Sequence, residues 1–346
     1  MTTRIVLDAM GGDHAPKEIV AGALAAAGTL GAEIILVGDT EAIRAELKGE
    51  EKGLRIVHAA DVIAMDDHAT ESVKARPDAS INVGLRLVKA GEADAFVTAG
   101  NTGATMAAAL LTLGRIRGIS RPALATVFPT GAGRLTMLLD VGANADCRPI
   151  HLLQFGYMGS AYMERMFGVK NPAVGLLSIG EEDSKGNQLT VEVNQALRRS
   201  RLNFMGNVEG KDLTRGVCDV AVMDGFTGNV VLKTAEGMAE MLFTELRKAV
   251  ELTPWNKAAG LILMSELRKV RRRLDYAEYG GAQLVGVDGV TVIGHGRSNA
   301  RAVVSALRAA RDAVENNVIE TLRDIGREIP AKTTAVGSGA ADAEDD

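Results

Sequence analysis

Cysteine is scarce: Cys147 and Cys218 are the only two in 346 residues, and neither belongs to a CxxC pair or a His/Cys cluster. That excludes a disulfide framework and a clustered zinc site, leaving ordinary reduced thiols as the expectation. Aromatic residues make up 3% of the chain, whereas hydrophobic residues of all types reach 47%. Small and aliphatic side chains in that proportion suit helices packed closely on a sheet and argue against a β-sandwich. No apolar run approaches the roughly 18 residues of a spanning helix. Met1-Thr2-Thr3 leads straight into Arg4-Ile5-Val6-Leu7 without the basic and apolar segments of a signal peptide. A cytoplasmic, non-integral protein is therefore expected. Positive charge is also lacking, since the net charge is -5, and nucleic-acid binding receives no support. Long Pro- or Ser-rich linkers and internal repeats are missing too. One globular unit with interleaved lobes is expected over 1–330, followed by a solvated disordered extension over 331–346 that ends acidic.

What the chain does have is alternation. Short apolar runs recur at Ile5 to Leu7, Ile34 to Val37, Ala95 to Thr98, Met137 to Leu139, Val174 to Ile179 and Val220 to Met223. They read as buried strands. Between most of them lie amphipathic stretches of helical length: Lys17 to Ala27, Ala79 to Ala90, Ala104 to Arg117, Asn187 to Arg199 and Val230 to Val250. Strands alternating with helices predict an α/β fold, a largely parallel sheet covered on both faces.

In such folds ligands gather beyond the carboxyl ends of strands. The first candidate turn is Asp8-Ala9-Met10-Gly11-Gly12-Asp13-His14-Ala15-Pro16, where paired glycines permit close backbone approach and Pro16 can start a helix. A tight strand-to-helix turn explains the same residues. The second is Thr98-Ala99-Gly100-Asn101-Thr102-Gly103-Ala104, whose amides and side chains suit a phosphate at a helix N-terminus, or equally an Asn/Thr cap. Neither has the GxGxxG spacing of a dinucleotide site, and GNVEGK at 206–211 is one residue too short for a P-loop. Lys185, before Gly186 at the beginning of a helix, can supply a fixed positive charge or be a solvated lysine. Asn229, after Asp224-Gly225-Phe226-Thr227-Gly228, can orient a carbonyl or phosphate oxygen or cap the helix. Asp140 and Asp146 end another strand, but no matched metal-ligand set is visible.

The strings DAMGGDHAPKEIV, TAGNTGATMAA, GRIRGISRPALA, LLDVGANAD, DSKGNQLT and DGFTGNVVLKTAEG, in this order, closely resemble the PlsX family of acyl-carrier-protein:phosphate acyltransferases. The resemblance runs from about Arg4 to about Val318. It implies a homodimeric α/β/α sandwich, isocitrate dehydrogenase-like and phosphotransacetylase-like; from the residues themselves no cofactor and no metal are expected. It further implies an enzyme acting on acyl carrier protein and inorganic phosphate at the inner membrane surface, whose acyl phosphate passes to a glycerol-3-phosphate acyltransferase. On matching positions Lys185 and Asn229 become the active-site residues. Asp8, Gly11, Gly12, His14, Asn101, Thr102, Gly103 and Gly228 become surroundings of phosphate or pantetheine. Arg297 of His295-Gly296-Arg297-Ser298 departs from the small residue that relatives often carry, and no role is assigned to that loop. A phosphotransacetylase using small acyl-CoA and a non-enzymatic membrane-surface adaptor remain the alternatives.

One further segment stands out, Thr253 to Asp275. Leu263, Leu267, Val270 and Leu274 form a stripe at helical spacing. Lys257, Arg268, Lys269, Arg271, Arg272 and Arg273 against Glu266 and Asp275 give a local charge of +4 on an acidic chain. Leu261-Ile262-Leu263-Met264 is apolar around the whole circumference, which suits shallow insertion into an anionic membrane, with Arg268 and Arg272 at the headgroups. Packing on a dimer mate and docking of the acidic carrier protein are the other readings of the same residues.

Overall fold

Strand and helix do alternate along the chain. A computed structural model describes residues 2–131, 133–274 and 280–329, apart from the side chains of Leu261 and of residues 271–274. The strands are β1 (Arg4–Asp8), β2 (Glu33–Gly38), β3 (Arg55–His58), β4 (Ala95–Thr98), β5 (Ala123–Pro129), β6 (Leu135–Leu139), β7 (Ala173–Leu177), β8 (Asn203–Val208), β9 (Val220–Val222), β10 (Ala282–Val285) and β11 (Val290–Ile293). The first six helices are α1 (Lys17–Ala26), α2 (Thr40–Leu47), α3 (Ala69–Ala75), α4 (Ser80–Lys89), α5 (Thr102–Thr112) and α6 (Pro149–Phe167). The remainder are α7 (Gln188–Arg198), α8 (Gly210–Leu213), α9 (Gly225–Glu251), α10 (Pro254–Leu274), α11 (Ala300–Glu315) and α12 (Val318–Glu328).

All eleven strands form one sheet in the order β3-β2-β1-β4-β11-β10-β5-β6-β9-β7-β8. The block β3-β2-β1-β4-β11 is parallel throughout. So is the block β6-β9-β7-β8. Between them β10 and β5 are joined to each other and to both blocks by antiparallel pairings. Three reversals make the two parallel blocks run in opposite senses, so each has its own set of carboxyl-end loops.

Side-chain alternation divides the core into two layers. Ile5, Leu7, Ile34 and Leu36 pack with α1, α6, α11 and α12, whereas Val6, Ile35, Val37 and Phe96 face α4 and α5. Val231 and Leu232, near the start of α9, also cover this second face.

Three sequence expectations need correction. The helix expected to reach Arg117 stops at Thr112, because Gly114 turns left-handed at φ 84°. Ile179, expected to close a buried strand, lies two residues beyond β7 with 81% exposure, in the loop leading to α7. The helix expected from Val230 begins five residues earlier, because Asp224 caps it: its carboxylate accepts from Thr227 N at 2.9 Å and from Thr227 Oγ1 at 2.7 Å. The expected tail over 331–346 and Asp275 lie outside the described residues, as do the side chains of Leu261, Arg272 and Leu274.

Candidate active site

Asp8 ends β1 with its side chain fully buried. Its carboxylate accepts from Met10 N at 3.1 Å and from Thr98 Oγ1 at 2.7 Å. Burial raises its pKa, and the Thr98 hydroxyl works against that rise. Gly11 is required here: a Cβ would lie 2.6 Å from Asp8 Oδ2 and 2.7 Å from Gly100 N. Gly12, at φ 106°, turns the chain so that Asp13 N donates to Gly296 O at 2.8 Å. The loops after β1, β4 and β11 are thereby fastened together.

Asn101 fastens a fourth. Its Oδ1 caps α5 by accepting from Ala104 N at 3.0 Å, and its Nδ2 donates to the carbonyls of Ala64, Met65 and Asp67. The amide proposed from sequence as a phosphate ligand is thus spent on the protein itself. Thr102 and Gly103 open the helix that Asn101 caps, and a Cβ on Gly103 would crowd Ala69 at 3.1 Å. His14 is exposed in the first turn.

The second block repeats the device. Asp140, buried after β6, accepts from the backbone amides of Leu124, Gly142, Ala143 and Asn144 and from Asn144 Nδ2. Its pKa is raised by burial against those bonds, and they leave no lone pair directed at a metal. The start of α9 packs hard on this loop: a Cβ at Gly228 would stand 1.8 Å from Asp140 O, and one at Gly225 2.7 Å from Asp140 Oδ2. Gly228 accordingly sets the helix against the loop. Asn229 follows it into the second turn with its side chain about 4 Å from where a Cβ on Gly142 would be. Because Asp224 does the capping, the Asn229 amide is left exposed and without a hydrogen bond among the described residues.

Lys185 sits in the loop between β7 and α7, with its chain folded over Gly180. Of the neighbouring acids, Asp183 is engaged by Arg198 and Asn194, and Glu181 and Glu209 by Lys211, while the Glu182 carboxylate lies with Lys185 beside Gly180. Among the described residues no carboxylate pairs with the Lys185 ammonium, which stays available to an outside anion. Glu181, Glu209 and Asp212 come close enough to suggest a cation site, but the Lys211 ammonium occupies the space between the two glutamates. Burial pushes both thiols, Cys147 and Cys218, up to about 12, so neither is a thiolate nucleophile at neutral pH.

Sequence reasoning missed the bridge between the two loop clusters. One turn beyond Asn229, Lys233 places its Nζ 3.4 Å from His295 Nε2 in the loop after β11 and 2.9 Å from Glu236 Oε2. The signal was present as Asn229, Lys233 and Glu236 at i, i+4 and i+7, a polar stripe on one helical face.

A family model described as fatty acid synthesis protein matches residues 3–321. The chain is 50% identical over 331 residues to a phosphate acyltransferase of Pelotomaculum thermopropionicum, covering 95% of this chain and 96% of that relative. Among solved structures, a phosphotransacetylase from Streptococcus pyogenes superposes with a TM-score of 0.61 at 18% identity, over 91% of this chain and 94% of the other. A 4-hydroxythreonine-4-phosphate dehydrogenase from Klebsiella pneumoniae gives 0.51 at 13% identity, over 90% and 98%. The two structural likenesses bear on the fold, which is phosphotransacetylase-like and dehydrogenase-like.

Proposed function

The chain belongs to the fatty acid synthesis protein family and is an acyltransferase, and from that premise we propose that it moves a fatty acyl group from acyl carrier protein onto inorganic phosphate. Hydrogenphosphate supplies the attacking oxygen. A C–O bond forms at the thioester carbon, the C–S bond breaks through a tetrahedral oxyanion, and the proton carried by the phosphate equals the one needed by the departing thiolate. No base as strong as a catalytic triad is required, because the nucleophile arrives charged. The demands are to bring an anion to the thioester and to stabilise the oxyanion. Lys185 meets the first with an ammonium that no described carboxylate pairs with, and Asn229 meets the second with an amide uncommitted among the described residues. Phe226 and Val230, both exposed beside Asn229, offer an apolar wall to the acyl chain.

The observation that carries this reading is that Asn229 is held in place by Asp224 and Gly228 while its own amide bonds to nothing described. Purified protein given long-chain acyl carrier protein and phosphate is expected to form hydroxylamine-trappable acyl phosphate, and Lys185→Ala to lose most of it while still folded. Turnover with acetyl-CoA but not with the acyl carrier protein would make it a phosphotransacetylase instead. No phosphate-dependent product from either donor would leave the adaptor reading.

The α9–α10 arm supports attachment to an anionic membrane by a homodimer, with the acyl phosphate handed on to a glycerol-3-phosphate acyltransferase for phospholipid synthesis. No described helix is long and apolar enough to cross a bilayer. Trp255 (85% exposed) and Ile262 (80%), with Leu263 and Val270, face outward on α10, close to Arg268 and Lys269. An apolar surface bordered by cations suits an interface with anionic lipid.

A further inference from the structure

Two buried amides stand beneath the Lys185 loop: Asn194 on α7, 2% exposed, and Asn207 near the end of β8, 7% exposed. Their surroundings do not ask for polarity, since Val193 and Leu197 on α7 and Val208 beside Asn207 belong to the apolar core. A buried amide is costly unless it is bonded, and here the bonds lead toward the loop. Asn194 Nδ2 donates to Asn207 Oδ1 at 2.9 Å, and Asn207 Nδ2 donates to Glu182 O at 2.8 Å. The same carbonyl accepts from Lys185 N at 3.0 Å, while Ser178 Oγ donates to Lys185 O at 3.1 Å. Asn194 Nδ2 also donates to Asp183 Oδ1 at 3.2 Å, on the carboxylate that Arg198 engages. Both the amide and the carbonyl of Lys185 are therefore held, and the chain of bonds begins in the core.

A bulge puts Asn207 in reach. β7 and β8 pair Val174 with Phe204 but Gly175 with Gly206, so Met205 is one extra residue in β8. Phe204 packs in the same layer as Val193 and Leu197 of α7, and strict alternation from it would turn Asn207 to the opposite face. The extra residue reverses the alternation: Asn207 meets Asn194, and Val208 joins the other layer.

Resting on the reaction proposed above, in which Lys185 brings the phosphate to the thioester, we propose that Asn207 and Asn194 are positioning residues for Lys185. They set its loop at the carboxyl end of β7, beside the parallel strand β9 that leads into α9 and Asn229. Two leucines would fill similar space at little cost in stability, because replacing both partners of a buried hydrogen bond by apolar groups can be nearly neutral. What the amides add is a fixed backbone under the ammonium. A misplacement of ~1 Å at a reacting group can cost about 10²-fold in rate.

The test is a double-mutant cycle read in acyl phosphate formation from long-chain acyl carrier protein, with phosphate varied. Asn194→Leu combined with Asn207→Leu is expected to melt close to the parent and to lose about 10²-fold in kcat/KM for phosphate. Added to Lys185→Ala, at enzyme concentrations that keep the residual rate measurable, the same pair should cost nothing further, because no ammonium is left to place. Parent-like turnover by the folded leucine pair, or an equal loss with and without Lys185, would overturn the positioning role. So would a leucine pair that fails to fold, since the amides would then hold the core and not the loop. Parent-like turnover by Lys185→Ala itself would instead overturn the part given to Lys185 in the proposed reaction.

Discussion

The two ends of α9 live in different surroundings. At its root, Gly225 and Gly228 touch the Asp140 loop, Asp224 closes the first turn, and Lys233 reaches His295 in the loop after β11. Toward its far end, some ~40 Å along 27 residues, Met238, Met241, Leu242 and Leu246 are exposed. There the helix folds back as α10 through Asn256 Nδ2, which donates to Ala249 O at 2.7 Å, and through Gly260 against Val250. One helix thus has a root fixed by the buried Asp140 loop and the half-buried Asp224 cap, fit for chemistry that tolerates little displacement. Its outer half is an apolar arm fit for a partner surface. On the proposed reading, position and attachment are separated along a single element.

Mutations should divide in the same way. The largest effect is expected from Gly228→Ala, which has no room beside Asp140 O and should cost about 3 kcal/mol or more in urea unfolding, together with turnover. An unchanged midpoint would mean that the root is not locked. Asn229→Ala should lower kcat roughly 10² to 10³ and leave unfolding untouched, because it caps nothing. Asp224→Ala should do the opposite first, losing about 1 kcal/mol of cap energy before any specific loss of chemistry. If the two variants behave alike, cap and catalyst are not distinct. At the other end, Ile262→Glu with Leu263→Glu should abolish salt-sensitive co-sedimentation with anionic vesicles while acyl transfer in solution continues. Equal sedimentation of variant and parent would remove α10 from the interface.

The smallest effect concerns the core behind the root. Burial, and then the charges of Arg148 and Arg121, hold the His151 pKa down from 6.5 to about 4. The unfolded chain then binds this proton more readily than the folded one. Stability from His151 is therefore present above about 6.5 and lost as pH falls toward about 4. His151→Gln should flatten the melting-temperature profile in that window, and an unaltered slope would exclude this histidine as its source.

Strands buried on both faces were legible as apolar runs, β1, β2, β4, β6, β7 and β9 among them. Those that escaped have physical reasons. β3 and β8 lie at the sheet edges, where half of their side chains meet solvent and the run is broken. β5 and β10 pair antiparallel with both neighbours, outside the strand–helix alternation, and β11 follows β10 without an intervening helix. Helix α6 is buried at twelve positions, from Ile150 to Met163, and so lacks the polar face that marks a helix in sequence. At the site, Lys185 and Asn229 stood out through resemblance, and the structure separates Asn229 from its capping alternative. Asn101 could not be resolved from sequence, since its three carbonyl partners lie more than thirty residues upstream. Lys233 was hidden for the same reason, its partner His295 being 62 positions away.

The separation of chemistry from attachment is tested most directly by one assay, acyl phosphate formation from long-chain acyl carrier protein and phosphate in the absence of lipid. It should compare the parent, Asn229→Ala, and the Ile262→Glu, Leu263→Glu double variant at equal folded concentration. The expected result is parent-like turnover by the arm variant and a loss of roughly 10² to 10³ by Asn229→Ala. Parent-like turnover by Asn229→Ala, or a comparable loss in the arm variant, would contradict the account.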